Sequence, residues 1–211
     1  MSFFLEACCT SLDAVKAAGR IGARRIEMCE QLNVGGVTPS EALLRAAVAM
    51  STLPINVLVR PREGDFIYSA TETETMLDSI RMCGRTGVNG VVAGALMPDG
   101  SVDVQLMKIL VSEARAAGLS VTFHRAFDEC ADPMKALEDI ISLGCDRLLT
   151  SGHASDAYEG RKMIGALVRA AAGRIVIMAG CGVRPGNIAD IAAASSAPEY
   201  HSSRVYEPWP L

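Results

Sequence analysis

"SVTFHRAFDECADPMKALEDIISLGCDRLLT" spans residues 120–150 and reads as one unit of structure. Ser120–Phe123 is a short strand-like run, and His124, Arg125 and Asp128 follow at once. Asp132-Pro133 then sets a capping side chain before a proline at the first helical position. The helix extends to Leu143, Gly144 supplies the left-handed residue that stops it, and Arg147–Thr150 is again a strand. A strand, a helix and a second strand in so short a span is a βαβ unit with parallel strands.

The same unit repeats along the chain. Further strands are expected at Phe3–Cys8, Arg25–Cys29, Ile55–Arg60, Gly90–Ala93, Arg174–Ala179 and Glu199–His201. Helices rich in Ala, Leu, Ile and Met are expected at Ser11–Ala18, Pro39–Ala49, Thr71–Arg85, Asp103–Ala117, Asp132–Leu143, Asp156–Ala171 and Pro185–Ala194. Thr38-Pro39 repeats the capping signal, and Gly19, Gly87, Gly118, Gly144 and Gly173 follow helices.

Eight such strands predict a TIM-type (β/α)8 barrel formed by residues 1–211 as a single domain. The rival, an open doubly wound sheet, usually shows G-x-G-x-x-G after its first strand; here that turn is "CCTSLD". Only ten residues follow His201, Pro208 and Pro210 among them, so the last helix is expected to be largely missing. The flank near the last and first strands then needs cover from neighbouring helices, from the tail with Trp209, or from a second subunit. That predicts a homodimer.

Half of the 211 residues are hydrophobic and 21% are charged, the balance of an ordinary globular protein. A net charge of −4 without a Lys/Arg run gives no nucleic-acid footprint. No apolar run is long enough to span a membrane, and the start "MSFFLEACC" lacks a signal peptide's basic region, so a cytoplasmic location is expected. The seven cysteines show no C-x-x-C spacing and read as reduced thiols, some of them open to metal ligation.

In a barrel, function sits at the carboxyl ends of the strands. Those ends carry Glu6 and Cys8, Glu27 and Cys29, Arg60 and Arg62, then His124, Arg125 and Asp128, then His153, Gly180-Cys181-Gly182 and His201. Residues two apart share a strand face, so each Glu-x-Cys pair offers a carboxylate and a thiol together. Glu6, Glu27 and Arg60 read equally well as a self-satisfied plug. Two chemistries fit this rim. Paired thiolates suit Cu(I). The turn of Gly180 and Gly182, with nearby arginines, suits a small anionic ligand, phosphorylated ones included, with His124 or Glu27 as acid or base. No organic cofactor is indicated: no lysine stands at a Schiff-base position and no G-x-S-x-G elbow is present. Whether the chain is an enzyme stays open at this point.

The stretches "LEACCTSLDAVKAAGRIGARRIEMCEQLNVGGVTPS", "VLVRPREGDFIYS", "VTFHRAFDECADPMKALEDIISLGCDRLLTSG", "RIVIMAGCGVRP" and "EYHSS", in this order from Leu5 to Ser203, resemble the CutC family of copper homeostasis proteins. The resemblance implies a cytosolic TIM-type barrel that forms homo-oligomers, dimers among them. It implies Cu(I) binding at Cys8 and Cys29, and a polar mouth mapped to Glu6, Glu27, Arg60, His124, Arg125, Asp128 and His201. The chain departs from the family pattern at Cys181, where a third glycine is usual, and in its short, different tail.

Overall fold

The computed structural model describes residues 3–210. Eight parallel strands close in sequence order: β1 (Phe4–Cys9), β2 (Arg25–Met28), β3 (Ile55–Leu58), β4 (Gly90–Ala93), β5 (Ser120–Phe123), β6 (Arg147–Thr150), β7 (Val176–Ala179) and β8 (Glu199–Ser202). Helices α1 (Leu12–Arg20), α2 (Glu41–Met50), α3 (Ala70–Thr86), α4 (Val104–Ala116), α5 (Pro133–Ser142), α6 (Arg161–Ala171) and α7 (Ile188–Ser195) fill the connections. Among the described residues no eighth helix follows β8, and none of the helices is long and apolar enough to cross a membrane.

Alternation sorts the strand residues into two cores. Leu5, Ala7 and Cys9 of β1, with Ile26 and Met28 of β2, face outward and are buried beneath the helices. Phe123, Leu137 and Ile140 join that layer where α5 packs. Each large side chain so buried contributes about 1.5–3 kcal/mol. The apolar flank after β8 is covered by the chain's own tail. Val205 is buried, Trp209 packs on the core with its Nε1 donating to the Arg204 carbonyl at 2.9 Å, and Tyr200 meets Phe3 edge to face.

The capping signals divide. Asp132 caps α5 through the backbone N–H groups of Met134 and Lys135, with Pro133 in the first turn as expected. Thr38 does not cap α2, which starts at Glu41 after Ser40. Its hydroxyl instead accepts from Arg60 N (2.8 Å) and donates to Arg60 O (3.1 Å), tying the loop before α2 to the end of β3. Gly19 lies inside α1, and the left-handed residue past that helix is Gly22. Residues 156–160 form turns ahead of α6 rather than its first coil, because Asp156 bonds the backbone of Tyr158 and Glu159. β3 ends at Leu58, leaving Arg60 in the loop above it.

Candidate functional site

Glu6 and Cys8 point into the barrel from β1, and Arg25 and Glu27 do so from β2, with Cys29 just beyond it. The deepest layer is a lattice of ions. Arg25 donates to Glu6 through Nε and to Glu199 through Nη2, and Arg147 Nε lies 3.3 Å from Glu199. His201 Nδ1 lies 2.9 Å from Glu6 Oε1. Burial alone raises the Glu6 pKa. The His201 hydrogen bond and the Arg25 charge outweigh it and hold the group at about 2. Glu6 is therefore ionised, and His201 Nδ1 is the donor. Burial likewise favours neutral His201, but Glu27 and Glu6 together lift it to about 9.

The plug expected of Glu6, Glu27 and Arg60 thus forms around a different cation. The β1–β2 register sets Glu6 beside Arg25. Arg60, one level higher, turns its guanidinium to backbone carbonyls: Nη1 donates to Val34 and Gly36 at 3.0 Å each, and Nη2 to Gly64 at 2.7 Å.

Above the lattice lie the two thiols. Cys8 Sγ and Cys29 Sγ are 3.6 Å apart, buried with Leu58 and Val92. Glu27 Oε1 lies 4.0 Å from His201 Nε2, and burial pushes the Glu27 carboxyl up to about 7. Cys8, Glu27 and His201 each bring one ligand atom within 4.8 Å of the others. The hydrogen bond with Cys29, then burial and the Glu27 charge, raise the Cys8 thiol well above its ordinary value.

Over this floor opens a cavity of about 600 Å³ at the carboxyl ends of the strands. Cys8, Glu27, Cys29, Arg60, His124, Arg125, Asp128, Gly182 and His201 all border it, as the sequence places them. Glu6 and Gly180 do not border it: Glu6 lies in the lattice beneath. His124 follows β5, and its Nδ1 accepts from Ala126 N at 3.1 Å. The proton therefore sits on Nε2, which is buried without a partner. Burial and the Arg60 charge depress its pKa to about 3, so the ring is neutral. Gly94 makes room for it: a Cβ there would stand 2.6 Å from His124 Nδ1. Asp128 pairs with Arg125 (2.9 Å) and accepts from Thr150 Oγ1 and the N–H groups of Ser151 and His153. It acts as the tie between the loops after β5 and β6. His153 Nε2 lies 3.5 Å from Cys130 Sγ.

The sequence reading missed Arg25, Arg147, Glu199 and Phe66. A signal existed for two of them. Glu199-x-His201 repeats the Glu-x-Cys alternation on β8, and Arg25 stands two residues before Glu27. Phe66, in the loop after β3, packs on the His124 ring at 4.9 Å and lies 4.9 Å below the Arg60 guanidinium carbon; no spacing rule points to it.

Cys181 adopts φ +72, a left-handed conformation that costs a side-chain-bearing residue about 1–2 kcal/mol. This is the physical reason a glycine suits the position. Cys181→Gly is expected to raise stability by about 1 kcal/mol, a melting-temperature gain of about 2–4 °C for a chain of this size. A lower melting temperature would mean that the weak thiol bond to the Ser155 carbonyl (3.4 Å) matters more than the backbone.

The sequence model of the CutC family matches residues 3–206. The family protein CutC of Parabacteroides distasonis is 48% identical over 204 residues, covering 96% of this chain and 83% of that protein. That of Vibrio cholerae is 45% identical over 203 residues, covering 96% and 80%. The crystal structure of the "putative copper homeostasis protein CutC" from Streptococcus agalactiae superposes with a TM-score of 0.90 at 29% identity, over 97% of this chain and 100% of that one. The deoxyribose phosphate aldolase of Aeropyrum pernix shares the barrel alone, with a TM-score of 0.73 at 13% identity over 97% and 87%.

Proposed function

This chain belongs to the CutC family, and on that premise we propose that it serves copper homeostasis by holding Cu(I) between Cys8 and Cys29, in the reducing cytosol that its free thiols suit. The observation that carries the reading is the 3.6 Å separation of the two sulfurs at the floor of an open cavity. Soft sulfur donors, few in number, are what Cu(I) prefers. With metal–sulfur bonds of about 2.3 Å, the length known for zinc thiolates, an ion between the sulfurs spreads them by no more than about 1 Å. His201 Nε2, grouped with Cys8 and Glu27, becomes a third donor once it gives up its proton, while Glu6 holds the other ring nitrogen and sets the ring's orientation.

Cys8 keeps its proton at neutral pH, so Cu(I) must displace it, and affinity rises with pH. The deciding measurement is an anaerobic Cu(I) competition titration of the wild type beside the Cys8→Ser, Cys29→Ser double variant. Expected is one Cu(I) bound per chain with release of the ligands' protons to solvent, and loss of that binding in the variant. Equal affinity in both proteins removes the thiols from copper handling.

A further inference from the structure

The cavity wall holds two buried donors that the copper reading does not use. Arg60 and His124 are only 6% and 5% exposed, both border the cavity, and both pack on Phe66. Arg60 Nε and His124 Nε2 are each buried without an acceptor, as is the Tyr68 hydroxyl that stands beside Arg60. Among the described residues the Arg60 charge has no carboxylate partner; backbone carbonyls receive three of its other N–H groups. Buried donors are rarely left unpaired, and a buried cation without a counter-ion is rarer still.

We propose that the mouth cavity binds a small monocarboxylate, one oxygen accepting from Arg60 Nε and the other from His124 Nε2, once the two side chains turn these covered N–H groups into the cavity. The site lies on the wall beside β3 and β5, away from the strand-seven turn where the sequence suggested an anion. Three features select a monoanion over a phosphate dianion. Arg60 brings one positive charge, and three of its five N–H groups are already given to backbone carbonyls. His124 is neutral and adds a dipole, not a charge. Glu27, Asp128 and Glu129 border the same cavity and oppose a second negative charge. A volume of about 600 Å³ fits a small metabolite rather than a polymer. The proposal is independent of copper, so failure of either reading leaves the other standing.

The test uses the copper-free, reduced full chain. Acetate, lactate and pyruvate are titrated in turn, with inorganic phosphate as the dianion arm, while the His124 ring nitrogens are followed by NMR and affinity by calorimetry. Expected is a saturable shift of Nε2 with at least one carboxylate. Affinity should fall about tenfold or more in His124→Asn and in Arg60→Lys, the usual effect of losing one charge-assisted bond. Should either variant fold poorly, the wild-type shift decides. No shift with any of the three carboxylates up to about 10 mM, beyond the weak end of useful affinity, overturns the proposal. So does a shift produced by phosphate in preference to them.

Discussion

Arg25→Met is expected to cost the barrel about 3–5 kcal/mol, the range for breaking one partner out of a buried ion network. The reason is what stays behind. Arg25 bridges Glu6 and Glu199, both buried, and methionine fills the space without answering either carboxylate. A domain holds only about 5–15 kcal/mol in total, so the variant should unfold at much lower urea. Adding Glu6→Gln and Glu199→Gln should recover part of the loss, since unpaired charge rather than lost volume is the damage. A loss under about 1 kcal/mol for Arg25→Met alone would show that Arg147, 3.3 Å from Glu199, suffices to hold the lattice.

Acid should produce the second large effect. Between pH 4.5 and about 3, stability is expected to fall by about 3 kcal/mol per pH unit, the slope for two protons bound on unfolding. His124 is one of them. Its folded pKa of about 3 lies below the ordinary 6.5, so its contribution is full above pH 6.5 and drains as pH falls toward 3. Glu6 is the other, with a contribution full above pH 4.5 and lost toward 2. Glu27 runs the opposite way. Its pKa is raised from 4.5 to about 7, so it favours the fold more as pH falls across that window and offsets His124 there. The expected curve is flat from about pH 6.5 to 4.5 and then steep. His201, raised to about 9, adds a gentler alkaline loss from pH 6.5 upward. Urea titrations across pH measure this, and His124→Gln should halve the steep limb. A one-proton slope in the wild type would contradict the assignment of His124 as buried and neutral.

Much of this was legible in the sequence because it is local. Asp132-Pro133 and the glycines after helices mark boundaries through single-residue conformational preference. The period-2 pairing of Glu6 with Cys8 and Glu27 with Cys29 says which side chains share a face. Once the strands are taken as a ring, all three histidines fall at one rim, and all three border the cavity. At one position a non-local bond won over a local signal. Thr38 was drawn from capping duty by the Arg60 backbone.

The sequence by itself thus determined the barrel and most of the residues at its mouth, because strand alternation and helix signals act within a few residues. Only the tertiary structure decided which charge meets which. Arg25 lies on β2 and Arg60 just past the end of β3, and nothing in their spacing says that one neutralises Glu6 while the other borders the cavity without a carboxylate. The strand register decides it, by placing Arg25 level with Glu6 and Arg60 above the acids among backbone carbonyls. In a low-dielectric interior that difference in level separates a structural ion pair from an unanswered donor.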